Sequence, residues 1–160
     1  MEKFPITPKG YAKLEKEIKH LKSVERPAII EAIATAREFG DLSENAEYHA
    51  AREKQSFIEG RIIDLEDKFS RSDIIEYTKF SGKIVKFGAT VNLIDDNTEE
   101  EFTYIIVGEY EADISSKKIS IKSPTARALI GKTIGDIVEV NTPKGSKTYE
   151  ILNVDFVEFD

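Results

Sequence analysis

Residues 45–69 read NAEYHAAREKQSFIEGRIIDLEDKF, and this stretch decides the fold. Its apolar residues recur at alternating spacings of three and four, which is the repeat of a helix that packs against another helix. The spacing predicts one continuous helix over 45–69, about 37 Å long. The predicted seam comprises Tyr48, Ala51, Gln55, Ile58, Ile62, Leu65 and Phe69, with Gln55 as its one polar member.

The residues before this stretch predict a second helix that pairs with it. Thr7-Pro8 is a favourable helix start, with a capping hydroxyl followed by a proline in the first turn. Pro27 is expected to interrupt the helix and kink it, since proline lacks the N–H that an interior turn needs. Gly40 is expected to end it as the carboxyl-terminal cap. The apolar stripe comprises Tyr11, Leu14, Ile18 and Leu21 before Pro27, then Ile29 or Ile30, Ile33 and Ala36.

Only a few residues separate the two predicted helices, so they are expected to lie antiparallel as a hairpin. Residues 1–75 are predicted to form this coiled-coil hairpin. A two-helix rod of this length has no room for an enclosed substrate pocket. Its shape therefore favours a probe or a spacer.

The period of the pattern changes in residues 76–160, which are rich in β-branched residues. The acidic run 95–101 is expected to be a solvated hairpin loop, and Ser123-Pro124 is expected to open a short helix that Gly131 closes. The fold class predicted from both halves is α+β: an amino-terminal antiparallel α-helical coiled-coil hairpin, then a largely antiparallel sheet domain with a short helix. Strands are predicted at 84–94, 102–107, 119–121, 137–140 and 149–154.

The composition narrows the class of protein. The chain of 160 residues has a formal net charge of −7, so its overall field does not attract duplex DNA. It contains no cysteine, which excludes disulfides and thiolate zinc sites. No secretory signal is visible at the start, and no apolar run approaches the length of a membrane span. A cytoplasmic protein with no membrane partner is the expectation.

Asp41 and Glu44 stand between the predicted helices, and they have two interpretations. In the first, Asp41 caps the second helix and Glu44 returns to the cap N–H, which makes a capping box. In the second, the two carboxylates present Mg²⁺, a cation that takes hard oxygen ligands and often only one or two carboxylates from a protein. Such a pair is incomplete as a metal site unless a partner supplies the remaining ligands.

Arg37 and Arg52 are candidate anion-binding residues near the same turn. In an antiparallel hairpin that turns near 41–44, they lie at similar heights below the tip. Guanidinium groups pair with phosphates in a bidentate manner. The alternative for each is an ordinary solvated arginine beside Glu38 or Glu53.

Three motifs carry a resemblance to the Gre family of bacterial transcript-cleavage factors. Residues 36–53, AREFGDLSENAEYHAARE, resemble the hairpin tip of that family. Residues 7–11, TPKGY, resemble its opening, and residues 123–132, SPTARALIGK, resemble its carboxyl-terminal signature. The motifs occur in order, and the resemblance covers nearly the whole chain.

This resemblance implies a function in the active centre of bacterial RNA polymerase. The hairpin would enter the secondary channel, where Asp41 and Glu44 would act as catalytic residues by helping to hold the second Mg²⁺ beside a backtracked RNA 3′ end. Arg37 and Arg52 would contact that RNA. The polymerase's own carboxylates would hold the first metal, so the protein would stimulate hydrolysis without being an enzyme itself, and it would not bind Mg²⁺ tightly when free.

The second half would have the fold of FK506-binding proteins and would dock on the channel rim, at the largest polymerase subunit. The residues implied to bind polymerase are Ser123, Pro124, Ala126, Arg127, Leu129 and Gly131. The family has two main branches, which differ in the size of the basic patch near the tip. Here position 43 is Ser where some relatives carry Lys, and the nearby cations are Arg37, Arg52 and Lys54. This small patch favours the branch that releases short RNA fragments.

Three other functions remain open at this point. A secondary-channel binder would modulate polymerase without cleavage, sharing the hairpin and differing at its tip. A prolyl isomerase would use the expected fold of the second half, although a fold does not confer its activity and the aromatic residues of the strands are scattered. A coiled-coil adaptor would act through the hairpin alone.

Overall fold

The computed structural model describes residues 2–160, which divide into two compact units. The first unit contains Glu2 and Ala12–Arg71, and the second contains Lys3–Tyr11 and Ser72–Asp160. None of the helices in these residues is both long and apolar enough to cross a membrane. The functional division between 1–75 and 76–160 stays a prediction.

Hydrogen bonds tie the opening of the chain into the second unit. Strand β1 (Phe4–Ile6) pairs in parallel with strand β2 (Ser72–Ile74). Thr7 follows as a helix cap, since its Oγ1 accepts a hydrogen bond from the N–H of Gly10 at 3.0 Å. The hydroxyl and N–H of Thr7 both donate to the Glu111 carboxylate, which lies so close to Gly10 that a β-carbon there would clash with it. The predicted helix start is confirmed, and Gly10 makes room for Glu111.

The first arm of the hairpin contains one wide helical turn. Helices α1 (Pro8–His20) and α2 (Arg26–Arg37) are joined by a π-helical turn at Leu21–Glu25, in which the N–H of Arg26 donates to the carbonyl of Leu21. Pro27 accounts for this turn, because it has no N–H to offer the carbonyl one turn back and its ring crowds that carbonyl. The predicted interruption therefore takes the form of a wide turn and not of a break in the helix.

The second arm is helix α3 (Ala46–Ser70), which has 25 residues and packs against α2. All of its predicted seam residues are buried or half-buried. Ile30 is 52% exposed whereas Ile29 is buried, so Ile29 is the seam residue of that pair. Burial of each large aliphatic side chain contributes about 1.5–3 kcal/mol, so the seam holds the hairpin together. The buried seam comprises Leu14, Leu21, Ile29, Ile33 and Ala36 of the first arm and Ile58, Ile62 and Leu65 of α3.

Ion pairs also join the two arms. The Arg26 guanidinium donates from Nε and Nη2 to the two carboxylate oxygens of Glu59, at 2.8 and 2.7 Å. Arg61 donates from Nε to Glu17 at 3.0 Å. Partly exposed pairs of this kind add little stability, but they favour one register of the two arms over its neighbours.

The second unit is built on a mixed sheet of five strands: β3 (Thr90–Asp95), β4 (Glu101–Val107), β5 (Lys118–Ser120), β6 (Ile137–Thr142) and β7 (Gly145–Asp155). Their order across the sheet is β5-β4-β3-β7-β6. Neighbouring strands are antiparallel except β4 and β5, which run parallel. The short helix α4 (Pro124–Leu129) packs beside β6. The predicted α+β class, with a hairpin and a largely antiparallel sheet, is therefore confirmed.

The strand predicted at 84–94 is wrong over 84–89, because β3 begins only at Thr90. Gly88 has a φ of +86°, and a β-carbon there would lie 2.2 Å from the β-carbon of Tyr77. Glycine adopts a positive φ without strain and leaves room for the Tyr77 side chain. A glycine in this conformation also interrupts a strand. Val85 and Phe87 are nevertheless buried, so the apolar composition of this loop reflects packing in the core and not strand pairing.

The acidic loop at 95–101 is exposed as predicted except at Asp95, which is only 5% exposed. Its carboxylate accepts from the N–H of Asn97 at 2.8 Å and from the N–H of Thr98 at 3.1 Å. These bonds hold the pKa of Asp95 below its ordinary value despite its burial. The loop is thus organised around one ionised side chain that the composition alone did not single out.

The neighbours Ile62 and Ile63 allow a matched test of the seam, since Ile62 is 1% exposed and Ile63 is 69% exposed. We expect Ile62→Ala to lower the free energy of unfolding of the hairpin by about 2–5 kcal/mol, because it leaves a cavity in the seam. Ile63→Ala, the control, should change it by less than about 0.5 kcal/mol. Urea denaturation followed by far-UV circular dichroism measures both, and equal effects would contradict the assigned seam.

Candidate functional site at the hairpin tip

The tip turn, residues 38–45, connects α2 to α3. Glu38 and Phe39 close the end of α2, with their N–H groups donating to the carbonyls of Thr35 and Ala36 at 3.1 and 3.2 Å. Glu38 is therefore the cap residue, and the prediction that Gly40 caps this helix is wrong. Gly40, with a φ of +114°, instead turns the chain after the helix has ended, which a residue with a side chain does only under strain.

Asn45 is the cap of α3, so the capping box predicted for Asp41 and Glu44 is wrong. The Oδ1 of Asn45 accepts from the N–H of Tyr48 at 3.0 Å. Its Nδ2 donates to the carbonyl of Ala36 at 2.7 Å, and this bond links the two arms. Asn45 was not predicted as the cap, although an asparagine directly before a long helical pattern is a recognised start signal.

Asp41 is exposed and holds its own turn. Its Oδ1 accepts from the N–H of Ser43 at 3.0 Å and from the Ser43 hydroxyl at 2.9 Å. These two bonds, the main-chain one first, hold the pKa of Asp41 below its ordinary value, so the carboxylate is ionised at neutral pH. Ser43 therefore has a part in orienting Asp41.

Glu44 is exposed beside Asp41, and both line a shallow open recess together with Glu47. Carboxylate oxygens are the hard donors that Mg²⁺ prefers. Across residues 2–160, no three histidine, cysteine, aspartate or glutamate side chains come together as a metal site. Asp41 and Glu44 fit a hard cation as a partial donor set, one that a partner can complete.

Arg37 and Arg52 meet at the Tyr48 ring, in agreement with the similar heights predicted for them. The guanidinium carbon of Arg37 lies 5.8 Å from the ring centroid and that of Arg52 lies 5.9 Å from it. The Nη1 of Arg52 also donates to the Tyr48 hydroxyl at 3.0 Å. Hydrogen bonding to Arg37 and then to Arg52 holds the pKa of Tyr48 below its ordinary value, because both cations favour the phenolate.

The arginines of the tip differ in their partners from those of the shaft, which is the rest of the hairpin. On the shaft, Arg26, Arg61 and Arg71 are each paired with a carboxylate. Within residues 2–160, by contrast, neither Arg37 nor Arg52 forms an ion pair, and the same holds for Asp41 and Glu44. Both signs of charge are thus left available at the end of the hairpin.

His49 is exposed one position after Tyr48. Its Nε2 lies 3.3 Å from the carbonyl oxygen of Ser43, and its ring meets Tyr48 edge-on with centroids 5.5 Å apart. These contacts are local to the tip, and they give His49 a part in packing the turn.

The segment expected to bind polymerase lies in the second unit, around α4. Ser123 caps α4, its Oγ accepting from the N–H of Ala126 at 3.2 Å, and Gly131 follows with a φ of +85°. Pro124 and Arg127 are exposed, whereas Ala126 and Leu129 are fully buried in the core. A direct contact of those two buried side chains with a partner does not fit this placement; they anchor the helix that presents Arg127.

Substitution of the cap separates the roles of the Asn45 carboxamide and the Asp41 carboxylate in the turn. We expect Asn45→Ala to lower the free energy of unfolding of the hairpin by about 1 kcal/mol, because the first turn of α3 loses its acceptor. Asp41→Ala, which removes no cap, should cost less than about 0.5 kcal/mol. Urea denaturation with circular dichroism measures both values, and a cost at Asp41 equal to that at Asn45 would restore Asp41 as a cap.

The Tyr48 phenol reports on the two arginines. In the double variant Arg37→Ala, Arg52→Ala we expect the pKa of Tyr48 to rise towards its ordinary value, since the phenolate loses both cations. An NMR titration of ring-labelled tyrosine measures it. Tyr149 is the internal control: burial raises its pKa, and the double variant should leave that pKa unchanged. A Tyr48 pKa that does not move would show that the guanidiniums do not approach the phenol.

Two family models match most of this chain. The model described as "Transcription elongation factor, N-terminal" matches residues 4–74, and the one described as "Transcription elongation factor, GreA/GreB, C-term" matches residues 81–156. The hairpin therefore matches the amino-terminal part of a transcription elongation factor, and the sheet domain matches the carboxyl-terminal part.

Curated relatives extend this similarity over nearly the full length. Transcription elongation factor GreA of Rickettsia prowazekii is 68% identical over 99% of this chain and 98% of its own length. Transcription elongation factor GreA of Beijerinckia indica is 65% identical over 98% and 99%, and that of Caulobacter vibrioides is 60% identical over 98% and 100%. These relatives are GreA proteins, in agreement with the branch expected from the small basic patch.

Among solved structures, GreA factor homolog 1 (Gfh1) of Thermus thermophilus is 28% identical to this chain and covers 96% of it and 99% of its own chain, with a TM-score of 0.45. So low a TM-score does not establish a common overall arrangement, and the assignment rests on the sequences. The expected family is confirmed on that ground, and the chain belongs to the GreA/GreB family of transcription elongation factors.

Proposed function

We propose that this protein acts on bacterial RNA polymerase in the cytoplasm and stimulates the polymerase's own cleavage of RNA at a backtracked 3′ end. Family membership supports the general part of this proposal, since the relatives are transcription elongation factors. In this function the protein is not an enzyme by itself: the hairpin enters the secondary channel and adds side chains to an active centre that the polymerase provides. The same membership favours transcription over the isomerase and adaptor alternatives.

One feature of the tip carries the finer part of the proposal. Asp41 and Glu44 are exposed, adjacent and without an ion-pair partner in residues 2–160, while the pKa of Asp41 is held low by Ser43. The cap of α3 is supplied by Asn45, so neither carboxylate is needed to begin that helix. The two carboxylates are therefore available to complete a metal site on a partner.

Mg²⁺ bound between the tip and the polymerase would activate the attacking water or stabilise the leaving oxygen in hydrolysis of a phosphodiester bond. Asp41 and Glu44 would hold it through their carboxylate oxygens. Ser43 would orient Asp41 by donating to it from its N–H and its hydroxyl. Arg37 and Arg52 would bind phosphates of the extruded RNA through their guanidinium groups.

The second unit supplies the docking surface in this proposal. Arg127 and Pro124 are exposed on α4, which Ala126 and Leu129 anchor from the buried side. Ser123 and Gly131 define the two ends of that surface, by capping α4 and by turning the chain after it. The polymerase site would be the rim of the secondary channel, on the largest subunit.

The test uses backtracked elongation complexes that carry labelled RNA, with Mg²⁺ present. We expect the double variant Asp41→Asn, Glu44→Gln to bind the complex like the wild type but to cleave at least about 100-fold more slowly, since loss even of outer-shell partners of a metal costs 10- to 100-fold. These substitutions remove both charges and keep the size of both side chains, and the amide oxygen introduced at position 41 can still accept from Ser43. Cleavage rate and polymerase binding are measured on the same complexes.

Glu53→Gln is the matched control, because Glu53 is an exposed carboxylate of α3 below the tip. It should bind and cleave like the wild type. Cleavage by the double variant at the wild-type rate would refute the role of the two carboxylates. If the wild type binds and does not stimulate cleavage at all, the protein is the alternative, a modulator of the secondary channel.

A further inference from the structure

We propose that Tyr48 is a positioning residue that holds the guanidiniums of Arg37 and Arg52 as one clamp for an RNA backbone phosphate. This inference rests on the proposed function and adds a residue to it. The spacing of the α3 repeat predicts Tyr48 as the first member of the seam. The geometry of the tip gives Tyr48 a second role, which is to orient Arg37 and Arg52.

The clamp is built from both arms of the hairpin. Arg52 lies one helical turn after Tyr48 on α3, and Arg37 is the last residue of α2. Their guanidinium carbons lie 5.9 and 5.8 Å from the Tyr48 centroid, within the range of a cation–π interaction. The phenol oxygen further orients Arg52 by accepting from its Nη1.

Asn45 fixes the position of the ring relative to Arg37. It accepts from the N–H of Tyr48 and donates to the carbonyl of Ala36, the residue directly before Arg37. The ring and both arginines are therefore attached to the same capped corner. Tyr48 itself is half-buried, so its ring has less freedom than the exposed arginine chains that lean on it.

The charges of the clamp point to an anion as its ligand. Two guanidiniums that converge on one ring repel each other, and neither has a carboxylate partner within residues 2–160, although the shaft arginines have theirs. The electron-rich ring and the phenol oxygen lower the cost of bringing the two cations together. A phosphate that accepts from both guanidiniums lowers it further, and RNA is the phosphate-bearing chain at the proposed site of action.

The variants separate this role from packing in the seam. Tyr48→Leu keeps an apolar side chain in the seam and removes the ring and hydroxyl, whereas Tyr48→Phe removes only the hydroxyl. At saturating protein, we expect Tyr48→Leu to lower the maximal cleavage rate about 10-fold, because small misplacements of positioning groups are costly. Tyr48→Phe should lower it roughly 3-fold, the effect of one exposed hydrogen bond. The protein concentration that gives half-maximal cleavage should stay unchanged, since docking belongs to the other unit.

A double-variant cycle distinguishes positioning of the arginines from packing. It compares the effect of Tyr48→Leu on the cleavage rate in the presence and in the absence of the two arginines. On the background Arg37→Ala, Arg52→Ala, the further change Tyr48→Leu should have almost no effect on the rate, because Tyr48 acts through the two arginines. Phe57→Leu, at a 74% exposed aromatic of the same helix, is the control and should cleave like the wild type. Circular dichroism checks that each variant keeps the hairpin helical.

The outcomes distinguish the two proposals. A Tyr48→Leu rate equal to that of the wild type would overturn the clamp alone, and so would an equally large loss on the double-alanine background. Absence of cleavage by the wild-type protein would overturn the proposed function, and the clamp with it.

Discussion

The apolar seam between the two arms of the hairpin is the constraint on which the tip depends. Ile33 and Ala36 of α2 and Ile58 and Ile62 of α3 are buried, so the arms cannot slide along each other without exposing them. At the upper end of the seam, Asn45 joins the arms by one side chain. The charged groups of the turn beyond Asn45 make few contacts of their own. Their positions therefore depend on the packing of the two arms. In the proposed function the partner supplies the rest of the metal site, so the two arms must hold the tip in place.

The arginines of the shaft and the arginines of the tip have different kinds of partner. On the shaft, carboxylates neutralise guanidiniums across the arms, as Glu59 does for Arg26. At the tip, Tyr48 takes the place of a carboxylate between Arg37 and Arg52. An aromatic ring stabilises a cation without cancelling its charge, whereas a carboxylate would cancel it. The choice of partner residue thus decides whether an arginine stays available to a phosphate.

The helical seam was predictable from residues 45–69, because a strict repeat over a long segment has one physical interpretation. The family and the identity of the tip residues followed from three short motifs. The prediction failed in the turn, where local hydrogen bonds outweighed the pattern. A side-chain bond makes Asn45, and not Asp41, the cap of α3, and main-chain bonds end α2 at Glu38 and not at Gly40. The strand predicted at 84–89 was also wrong, because a buried loop and a paired strand favour the same apolar residue types. The contact of Tyr48 with both arginines depends on the pairing of two arms, which spacing along one helix does not encode.

The π-helical turn at Leu21–Glu25 has a consequence for how the chain can change in evolution. Leu14 and Leu21 are seven residues apart and Ile29 follows after eight, yet all three are buried. The wide turn absorbs the surplus residue and returns the stripe to the face that meets α3. Deletion of one residue here would convert the wide turn into an ordinary α-helical turn and leave the phase of α2 intact. The first arm can therefore differ in length by one residue at this turn, and Arg37 would still face Tyr48.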